Sequence, residues 1–216
     1  MQKKYKKLMT AAATATLVAT VIVPVVSAAS FSDTAGNTHE APIDALVGLG
    51  IISGYPDGTF KPNRTLTRSD VVKLLGKYLV TQGYSVPSDY KMNMRFNDLT
   101  PRSQDELLKY AALVKDANVF NGSSGNLLPN DNITRENMAV VLVRAYSEIN
   151  DFDFVSYVGG LSFPQDVQDL NRANAEARSA IRVLDYYGLT GVRQFNTKSF
   201  TTRGQFSSFL FKMMQV

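Results

Sequence analysis

Thr67-Arg68-Ser69-Asp70-Val71-Val72-Lys73-Leu74-Leu75-Gly76-Lys77-Tyr78 decides how this 216-residue chain is read, because its pattern returns twice. Thr134-Arg135 and Thr202-Arg203 begin the other copies, the arginines lying 67 and then 68 residues apart. Val71, Leu74, Leu75 and Tyr78 match Met138, Val141, Leu142 and Ala145, and then Phe206, Phe209, Leu210 and Met213. Each set falls at i, i+3, i+4, i+7, the apolar stripe of an amphipathic helix. Asp70, Asn137 and Gln205 each stand three after a Thr, and the first and third copies have the form of capping boxes. Every Arg is thereby placed at the first helical position.

Upstream the copies agree again. Phe31-Ser32-Asp33 and Phe96-Asn97-Asp98 open the first two, and Phe163-Pro164-Gln165-Asp166 reads as the opening of the third, with Asp-to-Arg distances of 35, 37 and 37. Between lies a second helix, carried by Ile43, Leu46 and Val47, by Ala111, Leu113 and Val114, and by Ala177, Ile181 and Leu184. A Gly-containing turn ends each, at 50–54, 118–122 and 188–191. No alternating strand pattern occurs. The fold class is therefore all-α: three helix-loop-helix repeats, at 30–92, 93–158 and 159–216, each needing a neighbour to cover its stripe. The longer connections at 81–95 and 146–162 have room for short extra helices.

Lys3, Lys4, Lys6 and Lys7 precede an uncharged stretch from Leu8 to Val26, and Val26-Ser27-Ala28-Ala29 has small residues at cleavage spacing. Residues 1–29 read as a secretory signal peptide cut after Ala28 or Ala29; Pro24 speaks against the alternative of an uncleaved anchor. The whole chain holds 23 basic and 19 acidic residues, and the four signal lysines leave 19 against 19. That balance excludes a nucleic-acid partner, which needs a real cationic excess. There is no cysteine, which suits a bacterial surface protein held by its core. No later apolar run approaches a membrane span, so no membrane contact is expected after cleavage.

Gly54-Tyr55-Pro56-Asp57-Gly58-Thr59-Phe60-Lys61-Pro62-Asn63, followed by Leu66-Thr67-Arg68-Ser69-Asp70, resembles the loop and Thr-Arg motif of S-layer homology (SLH) domains. The second copy keeps Leu128-Pro129-Asn130 and Ile133-Thr134-Arg135-Glu136 but shortens the loop to Gly122-Ser123-Ser124-Gly125. The third departs most, with Gly191-Val192-Arg193-Gln194-Phe195. As a triplet the chain is similar to the N-terminal anchors of Gram-positive surface-layer proteins. The resemblance implies a pseudo-threefold arrangement around a central three-helix bundle. It also implies non-covalent anchoring to the cell wall, through secondary cell wall polysaccharide carrying pyruvate ketals, in grooves between repeats. Other S-layer proteins are further expected partners. The chain ends at Val216, thirteen residues past Arg203, where the third helix should finish. A stand-alone wall binder, a partner of larger SLH proteins and a truncated surface-layer protein all fit that ending.

A cation at the first helical position opposes the helix dipole by about 0.3–1 kcal/mol. Three such arginines call for a reason. One is an anion: a helix start offers free N–H groups, and guanidinium bonds a carboxylate at two points. The other is an internal ion pair to an Asp of the repeat openings. The candidate ligand residues are Arg68, Arg135 and Arg203, with Gly54, Tyr55, Gly122 and Ser123 from the loops. Tyr55 either stacks on a sugar or covers the core. Arg68 and Arg135 follow Gly-rich loops and are expected to meet the acidic group, whereas Arg203 follows an altered loop. Lys77, Arg144 and Lys212 stand nine residues after each Arg, turned by about 180° on the helix, and are expected outside that pocket.

Catalysis is not expected. The one histidine, His39, falls at a helix start outside the repeat pattern, and the absence of cysteine removes Cys–His and common zinc sites. No metal and no cofactor are expected. A glycan hydrolase needs only two carboxylates and stays as the alternative, as does a structural S-layer partner that binds no glycan.

Overall fold

A computed structural model describes residues 31–216; the signal-peptide reading lies outside them. The described residues form α1 (Glu40–Gly48), α2 (Arg68–Thr81), α3 (Asp105–Asp116), α4 (Arg135–Asn150), α5 (Phe154–Gly159), α6 (Ala175–Tyr186) and α7 (Arg203–Met213), with a 3-10 turn at Leu170–Arg172. Among them there is no strand, only isolated bridges. The all-α expectation holds. Of the long connections, 146–162 holds the end of α4 and all of α5, and 81–95 holds the last residue of α2 and then no further helix.

The stripes are buried as their spacing requires: Val71, Leu74, Leu75 and Tyr78, Met138, Val141, Leu142 and Ala145, and Phe206, Phe209, Leu210 and Met213 all belong to one continuous core. Each of the larger aliphatic, Met and Phe side chains among them contributes about 1.5–3 kcal/mol when removed from water. Thr67 and Thr202 make reciprocal capping boxes with Asp70 and Gln205, while Thr134 caps Asn137 N one way.

Each Arg helix packs on the opening helix of the next repeat: α2 on α3, α4 on α6, and α7 back on α1. The Arg helices meet one another only where α4 approaches α2 and α7, and α2 and α7 do not approach closely. Where the three chain segments enter these helices, their backbones bond in a closed ring. Ile133 N donates to Leu66 O (3.0 Å), Leu66 N to Thr201 O (2.9 Å) and Thr201 N to Ile133 O (3.0 Å).

The repeats also share a clasp. Asp33 accepts from Phe60 N and Lys61 N at 2.7 Å each, and Asp98 from Leu127 N and Leu128 N at 2.8 and 2.7 Å. In the third repeat the clasp is Asp169, bonded to Phe195 N and Asn196 N at 2.7 and 2.8 Å. Asp169 stands 34 residues before Arg203, and Val167 fills the place of Phe31 and Phe96. The opening expected at Phe163 to Asp166 is thus corrected: Asp166 makes no such clasp, and its own N–H donates to Asp185. Lys61, Leu128 and Asn196 hold φ of 57°, 57° and 56°, a left-handed turn costing about 1–2 kcal/mol in a residue with a Cβ. Two convergent amide bonds to one carboxylate hold each turn in place.

Candidate ligand-binding site

The Arg side chains cross between repeats. Arg68 Nε donates to Leu127 O (2.5 Å) of the second repeat, Arg135 Nε to Phe195 O (2.5 Å) of the third, and Arg203 Nε to Phe60 O (2.9 Å) of the first. Each guanidinium lies against rings: Arg68 on Phe120 at 5.0 Å, Arg135 on Phe195 at 4.8 Å, Arg203 on Phe60 at 4.4 Å and Tyr55 at 4.9 Å. The loop beside an Arg is therefore the next repeat's, not its own. Arg203 sits on the Gly54-Tyr55 loop, Arg68 beside Gly122, and Arg135 beside the altered third loop.

Neither sequence-level reason for these arginines survives unchanged. No carboxylate lies within 4.0 Å of any of the three among the described residues, and the opening aspartates are spent on backbone clasps. The internal ion pair is excluded. The helix starts, however, are already filled. Arg68 N and Ser69 N donate to Asp131 O and Pro129 O, Arg135 N and Glu136 N to Ser199 O and Thr197 O, and Arg203 N and Gly204 N to Arg64 O and Pro62 O. With the third N–H taken by the Thr cap, the first three amides of each Arg helix are occupied, and side chains must do most of the holding of an anion.

Burial lowers the pKa of all three guanidinium groups; carboxylates beyond ion-pair distance oppose the shift at each, Asp131 and Asp98 at Arg68, Asp169 at Arg135, and Asp70 and Asp33 at Arg203. Arg135 and Arg203 keep only 9% and 8% of their surface exposed. A desolvated cation without a counterion is costly, and an anionic ligand would relieve that cost.

The arginines floor three grooves built alike, each from one repeat's Arg, the next repeat's turn and Arg helix, and the opening helix beyond. The first groove holds Arg203 with Ser53, Lys77 and Glu106; the second Arg68 with Asn121, Arg144 and Glu176; the third Arg135 with Gly191, Lys212 and His39. Lys77, Arg144 and Lys212 were expected outside the Arg pocket. They face away from their own Arg, yet each shares a groove with the preceding repeat's. Sequence spacing on one helix could not reveal that pairing, because the partner comes from another repeat.

The remaining candidates separate by role. Gly54 is a packing position: a Cβ there would overlap the Phe31 ring. Gly122 combines φ +76° with a place in the second groove, 2.7 Å from Phe96 at its missing Cβ. Tyr55 is half-buried between Arg203 and Lys61, the latter 4.3 Å from its ring. Ser123 is exposed and pairs with Asn126 through the backbone, away from the groove linings. His39 is half-buried, with Nδ1 2.7 Å from Ser208 Oγ, and burial lowers its pKa.

A family model described as the S-layer homology domain matches residues 30–72 and 95–139. The chain is 34% identical over 146 residues to the S-layer protein EA1 of Bacillus anthracis, covering 66% of this chain and 16% of that protein. An S-layer protein of Bacillus licheniformis is 35% identical over 146 residues, with the same coverage. One of Bacillus thuringiensis subsp. finitimus is 28% identical over 214 residues, 96% of this chain and 24% of that protein. The chain spans a quarter or less of the length of these relatives.

Proposed function

The chain belongs to the S-layer homology family, and from that premise we propose that it anchors non-covalently to the bacterial cell wall by holding an acidic secondary polysaccharide between its repeats. The observation that carries this reading is the set of three desolvated arginines without carboxylate partners, each flooring an inter-repeat groove. A pyruvate ketal presents one carboxylate on a sugar, which suits a fork of guanidinium N–H groups beside a ring. The cell surface is the matching location, and no described helix is long and apolar enough to cross a membrane. The groove residues do recognition and no bond-breaking. The three repeats, related by their ring of backbone bonds, are read as pseudo-threefold.

Purified walls that retain their secondary polymer should pull the chain down, and walls stripped of it should not. Arg135→Met should weaken that binding at least tenfold, the value of one charged bidentate contact. Its stability should fall by no more than about 1 kcal/mol, since an apolar side chain can occupy the ring-lined site and one hydrogen bond is lost. Undiminished binding to stripped peptidoglycan, or reducing sugar accumulating during incubation, would overturn the reading.

A further inference from the structure

The three grooves are built alike but charged differently. Lys77 is paired with Glu106 at 2.9 Å in the first groove, and Arg144 is paired with Glu176 in the second. Both carboxylates stand in the first turn of an opening helix, eight residues before the carbonyl that ends it, Val114 and Leu184. In the first repeat that carbonyl is Leu46, and eight residues earlier the chain has Thr38. Helix α1 is one turn short there, and the nearby Glu40 turns back to Gly36 N at 2.8 Å. Lys212 is accordingly left without a carboxylate partner among the described residues. No Asp or Glu lines the third groove, whose volume is about 650 Å³ against about 130 and 90 Å³ in the first and second. Thr190, in its wall, has a buried hydroxyl with no hydrogen-bond partner.

We infer that the third groove, between Arg135 and Lys212, is the chain's principal site for the sugar-borne carboxylate, and that Glu106 and Glu176 plug the other two. The inference rests on the wall-polymer reading above. In the first and second grooves an incoming carboxylate must displace an internal one already on its cation. In the third it meets two cations without carboxylate partners, in a larger groove whose wall holds the buried Thr190 hydroxyl. The loop that departs most from the family pattern thus borders the groove best fitted to bind.

Calorimetric titration of the chain with a methyl hexoside carrying a 4,6-pyruvate ketal separates the possibilities, with the ketal-free hexoside as control. One dominant site per chain is expected. Thr38→Glu installs the missing plug on an exposed turn and should weaken binding at least tenfold, without lowering the melting temperature. Lys212→Met should weaken it similarly. Glu106→Gln should open the first groove and raise the number of sites to two. Binding unaltered by both Thr38→Glu and Lys212→Met, while the unmodified chain still binds ketal and walls, overturns this inference alone. Failure of the unmodified chain to bind either ketal or polymer-bearing walls overturns it together with the wall-polymer reading.

Discussion

A Cβ added at Gly54 would overlap the Phe31 ring, and one at Gly122 would crowd Phe96, yet the third repeat carries Val192 at the same place. It can do so because Val167 replaces the ring. In the first two repeats the ring fills the space a side chain would need, whereas in the third Val167 takes the ring's place and Val192 stays 42% exposed. Gly54→Val alone should therefore cost about 1–3 kcal/mol as an overpacked site, and Phe31→Val alone should leave a cavity. Together they should recover at least about 0.5 kcal/mol relative to their sum, measured by denaturant unfolding of both single variants and the pair. Strict additivity would refute the coupling. This exchange also explains a misreading at the residue level. Phe163 has the aromatic signature of Phe31 and Phe96, so the sequence places the third opening at Asp166, whereas the Asp that clasps, Asp169, follows a valine two residues before it. The 34-residue spacing, close to the first repeat's 35, and Asn196 at the left-handed turn were the usable signals.

Helices were the most legible scale, because a 3.6-residue stripe and a Thr cap are written within a dozen consecutive residues. The two expected capping boxes and the buried stripes are present as read. What periodicity does not contain is the identity of the partner: it names a face, and the face can be covered by any neighbour. Here α2 takes α3 of the next repeat, and Gly76 lets Tyr110 pack directly on its backbone. A helical Gly→Ala change ordinarily stabilises by up to about 1 kcal/mol. At Gly76 the new methyl would overlap the inner atoms of Tyr110, Cβ and Cγ, which cannot swing aside as a flexible tip would. Gly76→Ala should thus destabilise by about 1–3 kcal/mol in spite of its propensity. Tyr110→Ala made first should remove most of the penalty of the added methyl, so the change at Gly76 should be near neutral or favourable in that background. A stabilised Gly76→Ala in the native background would show that the helices separate easily.

At the scale of the molecule the ring closes on itself, and its closure was only implied by family resemblance, since it depends on contacts far apart in the chain. Arg203 bonds Phe60 O across 143 residues, α7 covers α1, and Leu66 N reaches Thr201 O. Removing residues 151–216 therefore strips more than one repeat. It leaves Leu66 N and Ile133 O without ring partners, uncovers the α1 face that α7 packs on, and takes away the α6 face that covers α4. Buried backbone groups left unpaired cost about 1–3 kcal/mol each, and the lost apolar cover on two helices adds several side chains at about 1.5–3 kcal/mol apiece. Those losses together rival the whole stability of a domain, about 5–15 kcal/mol. A linear array of repeats would behave otherwise, losing only one terminal interface and keeping the rest folded. The two-repeat fragment should accordingly show no cooperative melting transition, by circular dichroism or calorimetry, under conditions where the full chain melts sharply. A fragment that melts cooperatively near the full-length temperature would mean that the repeats stack in a row and that the ring contributes little to holding them.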